Sequence, residues 1–347
     1  MTRLRLGFQP WGETLAELVD AGRRAEAAGA EVLWTAELHR SATVTAAALA
    51  AGTTRARIGT AIALAFTRSP MITALEALDV DELSGGRFVL GLGSGVKRLN
   101  EDWHNARFGT PVPHLRETIR NIRLFWETCT TGAEIRAEGE YEPMRIRGYQ
   151  RPFPLVRADI PVYLAAMGPY ATRLAGEIAD GWISLEICSP AYLAERILPE
   201  LTAGIARAEG KARADVDVVV SACCSISDDR SVAYRRSAGL VGFYASVKTY
   251  ADFFAFHGLA DDQRAVIDTF RAGASSDDLA GAVSAPMVDA LTLTGTRDEV
   301  AARLAAYEGV ADSVKLSPPT HGLPAADTRA AQEEIIRLIG DLTGARA

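Results

Sequence analysis

Apolar runs and amphipathic stretches alternate along the chain, and their periods predict a strand–helix repeat. The clearest unit spans 58–95, IGTAIALAFTRSPMITALEALDVDELSGGRFVLGLGSG. Residues 58–66 form a largely apolar run, as expected of a parallel strand covered on both faces. Ser69 supplies a side-chain cap and Pro70 suits a first helical position, where a missing N–H costs nothing. Gly85 and Gly86 stop that helix, because glycine takes positive φ cheaply. A second apolar strand, 88–92, follows at once and runs into Gly91-Leu-Gly93-Ser-Gly95.

The alternation continues on both sides. Strands are predicted at 4–8, 31–35, 160–166, 181–187, 216–226 and 313–317, besides 58–66 and 88–92. Thr14 and Glu17 have capping-box spacing ahead of a helical apolar stripe ending before Gly29. Pro169 opens a helix with Leu174, Ala175 and Ile178 on one face, and a last helix is predicted over 328–342. Eight strands joined by helix-length connections predict the α/β class and a (β/α)8 TIM barrel. Two connections, 94–159 and 227–312, exceed one helix, so insertions are expected after strands 4 and 7. No low-complexity linker separates two cores, and 1–347 is expected to be a single domain.

Composition adds exclusions. Of 347 residues 48% are hydrophobic and 23% charged, with a net charge of −7 and scattered Lys and Arg. That balance argues against a nucleic-acid footprint, and no basic amphipathic helix marks a membrane surface. Cys129, Cys188, Cys223 and Cys224 lack CxxC spacing and read as reduced core thiols. The first residues lack a signal-peptide core and no run reaches membrane-spanning length, so a cytoplasmic location is expected.

Three segments could carry chemistry. Gly91-Leu-Gly93-Ser-Gly95 follows a strand, but Val96 occupies the third glycine position of a dinucleotide fingerprint. A glycine-lined strand end that admits a flat ring fits better, beside the plainer reading of a tight rim turn. Glu37 and His39 lie just past the second strand at alternate positions. They form either a general acid/base pair or part of a solvated loop. Ala166-Met167-Gly168 ends the fifth strand before Pro169, where bare amides and a helix dipole suit a phosphate. His104, His114, His257 and His321 show no ligand spacing, so no metal is expected.

Taken together, GTAIALAFTRSP (59–70), LSGGRFVLGLGSG (83–95), WTAELH (34–39), YLAAMGP (163–169), AGEIADGW (175–182) and TRDEVAARL (296–304) resemble the bacterial luciferase-like flavin and deazaflavin oxidoreductases. The resemblance implies a barrel with insertions, commonly a homodimer, binding coenzyme F420 (a deazaflavin) or reduced FMN. It places a non-proline cis peptide at Thr60-Ala61-Ile62, behind the ring. It puts Glu37 and His39 near the reactive ring edge, and Gly93, Ser94 and Gly95 near the ribityl chain. Ala166, Met167 and Gly168 match the phosphate-binding backbone, and Phe8 joins the cofactor set. Relatives often have adjacent acidic and histidine residues at the second strand, whereas Leu38 intervenes here. Which of Glu37 and His39 moves a proton therefore stays open.

The resemblance implies an F420-dependent oxidoreductase that transfers hydride between the deazaflavin and a small organic substrate. The substrate would lie under a lid drawn from 103–114 and 227–290. The alternatives are an FMNH2-dependent monooxygenase, which uses O2 and a separate flavin reductase, and a non-catalytic barrel that has lost its cofactor. An F420 or flavin reductase would supply electrons.

Overall fold

A computed structural model describes residues 3–345. Eight parallel strands follow one another: β1 Arg5–Phe8, β2 Val32–Thr35, β3 Arg57–Thr60, β4 Phe88–Gly93, β5 Val162–Ala165, β6 Gly181–Ile183, β7 Asp217–Ile226 and β8 Ser313–Ser317. Helices intervene and the fold is a (β/α)8 barrel, as expected. Most local signals act as read. Ser69 Oγ accepts from the Ile72 N–H at 3.3 Å, and the Pro70–Ser84 helix ends on Gly85 at φ 66°. Thr14 Oγ1 accepts from the Glu17 N–H at 3.1 Å as expected, but the Glu17 carboxylate accepts from the Glu13 N–H, one residue before the position that a capping box uses. The Ala325–Thr343 helix closes the described chain.

Two strands depart from expectation, and the two long connections hold further elements. The third strand stops at Thr60, passes through a cis Ala61–Ile62 peptide, and resumes as Ala63–Leu64, where Leu64 pairs with Gly93 of β4. The sixth ends at Ile183, not 187. Ser184 Oγ takes the Ser221 N–H at 2.7 Å, a group that a longer ladder would have used. The 94–159 connection holds a π-helical turn at Leu99–Trp103, the Pro111–Thr128 helix, and an antiparallel hairpin of Ile135–Ala137 with Met144–Ile146. The 227–312 connection holds several helices and a strand, Leu293–Gly295, parallel to β7. The added strands, three residues each, are too short to display a period of two.

The described residues divide into two compact units, each assembled from separated stretches of chain. One comprises 33–183 and 199–217. Within it β3 pairs with β4, β4 with β5, and β5 with β6. Its core holds Trp34, Phe88, Phe125, Trp126 and Trp182, all nearly inaccessible. Gly59 has no side chain because Trp34 fills the space: a Cβ there would lie 2.3 Å from the ring. The other unit comprises the described parts of 1–32, 184–198 and 218–347. In it β8 lies between β1 and β7, with Phe8 opposite Leu316 and Ser221 opposite Lys315.

Candidate active site

Active sites of (β/α)8 enzymes sit at the C-terminal ends of the strands. In the unit formed by 33–183 and 199–217, the ends of β3 and β4 pack backbone against backbone into a shelf. Thr60 is fully buried, and its hydroxyl donates to the Gly91 carbonyl at 2.7 Å while accepting from the Gly91 N–H at 2.9 Å. That reciprocal bond locks β3 onto β4. A Cβ on Gly91 would lie 1.8 Å from the Thr60 carbonyl oxygen, so only glycine permits the approach. The Ala61 N–H donates to the Thr35 carbonyl at 2.6 Å, and the Glu37 N–H donates to the Ile62 carbonyl at 3.0 Å. The Ala61–Ile62 peptide between them is cis, at the place the resemblance implies. Ile62 lies over Gly93, whose Cβ would come 2.7 Å from Ile62 Cδ1.

Beyond the shelf, Gly95 turns the chain at φ 61° against Leu64. The turn is held by Asn100, a buried side chain whose Nδ2 donates to the carbonyls of Ser94 (2.7 Å) and Val96 (3.0 Å). Its Oδ1 is buried with no partner among the described residues. At the end of β5 the Trp182 indole N–H donates to the Ala166 carbonyl at 2.8 Å. Met167 is half-buried, and Gly168 is exposed as N-cap of the Pro169–Ile178 helix, which no side chain caps. No atom comes within 4 Å of a Cβ built on Gly168. Its glycine therefore leaves an open approach to the first amides of that helix. Thr172 Oγ1, one turn in, is buried without a partner among the described residues.

The Glu37–His39 pair takes a different form from the one its spacing suggested. Glu37 is buried in an ion pair: both carboxylate oxygens receive the Arg68 guanidinium, and Oε2 also accepts the Leu64 N–H at 2.8 Å. Burial alone would raise its pKa, but the bonds from Arg68 and Leu64 outweigh this and hold it below the usual carboxylate range. A carboxylate so held is a poor proton carrier near neutral pH. It anchors the segment after β3 instead. His39 lies exposed on the following bend, and among the described residues no hydrogen bond joins it to Glu37. Arg68 also meets Glu76 at 3.4 Å.

Sequence reasoning missed Arg68, Asn100 and Thr172. A lone arginine or asparagine carries no spacing signal, and each gains its meaning from a residue that the fold brings near. In the other unit, Phe8 is fully buried at the end of β1. Two concavities, of about 760 and 700 Å³, are lined by ion-paired side chains such as Arg297 and Arg116 and contain none of these site residues. Among the described residues no cluster of three or more His, Cys, Asp or Glu side chains could hold a metal, and no helix is long and apolar enough to cross a membrane.

Known proteins place this arrangement. The profile of the luciferase-like monooxygenase family matches residues 2–313, and the chain belongs to that family of oxidoreductases. It is 32% identical, over 88% of its length and 91% of the relative's, to a Mycobacterium tuberculosis protein provisionally named a coenzyme F420-dependent oxidoreductase. Among solved structures it resembles the coenzyme F420-dependent tetrahydromethanopterin reductase of Methanopyrus kandleri, with a TM-score of 0.82, 22% identity and 99% of both chains covered. It also resembles the oxygenating constituent of a Pseudomonas putida diketocamphane monooxygenase in complex with FMN, with a TM-score of 0.66, 17% identity and 98% of both chains covered. At those identities the two structures speak for the fold.

Proposed function

We propose that this chain is a coenzyme F420-dependent oxidoreductase that passes hydride between the deazaflavin and a small organic substrate. One observation carries the reading: the shelf where β3 and β4 pack backbone to backbone lies in the same unit as an open, uncapped helix start at Gly168. A planar ring needs a flat backing, and a phosphate tail needs bare amides. The residues fit such a group. Ala61, Ile62 and Gly93 would back the ring, Ser94 and Gly95 would border its chain, and Ala166, Met167 and Gly168 would receive the phosphate. Bound there, F420 supplies the hydride-accepting or hydride-donating ring carbon.

The protein's own part is to position and to move a proton. Glu37 and Arg68 fix the shelf from behind, and Thr60 keeps β3 in register with β4. His39, exposed and uncommitted, is the side chain we assign to proton transfer. The name given to the M. tuberculosis relative supports F420 over FMN. The same reading carries a cytoplasmic homodimer served by a separate reductase.

A second reading, an FMN-dependent monooxygenase, draws on the likeness to the FMN-bound structure. Oxygen separates the two. Loaded with reduced F420 and offered small carbonyl and alkene acceptors under nitrogen, the protein should reoxidise the cofactor. Turnover that requires reduced FMN and oxygen would replace the first reading with the second.

A further inference from the structure

The second unit, formed by 1–32, 184–198 and 218–347, holds a buried charged cluster that the cofactor reading does not use. Lys315 projects from the middle of β8 and is 2% exposed. Its ammonium donates to Gln9 Oε1 at 2.7 Å, just past β1, and meets Glu186 Oε1 at 3.4 Å, just past β6. Two separate strand ends thus converge on one lysine. The Glu186 backbone is fixed because the Cys223 N–H of β7 donates to its carbonyl at 2.8 Å.

Both members of the pair have bonding capacity to spare. An ammonium has three donors, and two of Lys315's are used. A carboxylate accepts about four bonds, and the contact from Lys315 is long. Ser221, opposite Lys315 in the β7–β8 register, has a buried hydroxyl with no partner among the described residues. Buried polar groups with unmet bonds are costly, so their persistence points to a ligand that completes them. Lys315 forms the floor, while Gln9 and Glu186 are half-buried and reachable from solvent. Phe243, Tyr244, Tyr250 and His321 form a chain of ring contacts at 4.7 to 5.6 Å, and Tyr244 and His321 are near enough to Glu186 to interact with its charge. An apolar or flat body would meet these rings.

Charge narrows the class. An anion would face the Glu186 carboxylate at short range, and a cation would face Lys315. A neutral group that presents an acceptor to Lys315 and a donor to Glu186 satisfies both. We propose that Lys315, Glu186 and Gln9 form a binding subsite for a neutral acceptor–donor group, a hydroxyl or a lactam, on a ring-sized organic molecule. The proposal does not depend on which redox cofactor the chain binds.

Saturation-transfer NMR on the full chain tests it, with δ-valerolactam and cyclohexanol as probes at millimolar concentration. Their methylated counterparts, N-methyl-δ-valerolactam and cyclohexyl methyl ether, keep the acceptor but lose the donor. Cyclohexanecarboxylate supplies the anion. At least one neutral probe should bind, and its methylated form and the carboxylate should bind roughly tenfold more weakly. Preference for the lactam assigns an amide ligand, and preference for the alcohol a hydroxyl. Lys315→Met alone leaves Glu186 unpaired, so the variant measured is the double Lys315→Met, Glu186→Gln, checked by circular dichroism. It should bind the neutral probe roughly tenfold more weakly than the wild type. Absence of binding by both neutral probes, equal binding of the carboxylate or the methylated probes, or full retention by a folded double variant would overturn the subsite. Should the double variant fail to fold, the wild-type comparison across the probes decides alone.

Discussion

Glu37 shows how a residue's chemistry follows from its partners more than from its type. Its folded pKa lies below the unfolded carboxylate value, so ionised Glu37 stabilises the native state above that value. The contribution is present at neutral pH and is lost as pH falls through the depressed folded value. Glu37→Gln should therefore cost about 1–3 kcal/mol at neutral pH, measured by thermal melting. The gap between variant and wild type should close on acidification, and a gap that is constant with pH would show that Arg68 does not sense the charge. His39→Ala should leave the melt unchanged and lower turnover more than cofactor affinity, because nothing in the fold leans on that side chain. Wild-type turnover would return His39 to an ordinary loop residue. The segment WTAELH was legible as a strand end carrying polar groups. Its division of labour was not, because Arg68 lies about thirty residues downstream and only the fold brings it to Glu37.

Among elements, the strand β3 and its neighbour β4 separate two uses of glycine. Gly91 is glycine because the Thr60 carbonyl occupies its Cβ position. Gly91→Ala should cost about 3 kcal/mol or prevent folding, as judged by denaturant melts. Gly168 is glycine with open space around it. Gly168→Val should cost below about 1 kcal/mol of stability as an altered N-cap, yet weaken cofactor binding roughly tenfold or more by blocking the amides. Unchanged affinity would place the phosphate elsewhere. The caps at Thr14, Ser69 and Gly85 were legible because each is a local bond made within a few residues. The break after Thr60 was hidden, since an apolar run reads the same whether its ladder is continuous or split. The 135–146 hairpin and the strand at Leu293–Gly295 were hidden by their shortness.

At the scale of the whole molecule, the eightfold alternation was legible because the strands lie in apolar runs set between helices with their own start or stop signals. The division into two interleaved units was not, because it depends on contacts between distant stretches and leaves no linker composition behind. The charged cluster around Lys315 escaped for the same reason: Gln9, Glu186 and Lys315 are separated by more than a hundred residues along the chain. Family membership adds what the fold alone cannot, a reason to expect a tricyclic redox cofactor on the shelf. The most direct test of that claim is a side-by-side spectral titration of the purified chain with oxidised F420 and with FMN. The account predicts saturable binding of F420 that Gly168→Val weakens, with FMN bound much less tightly. Tight FMN binding with no response to F420 would contradict it.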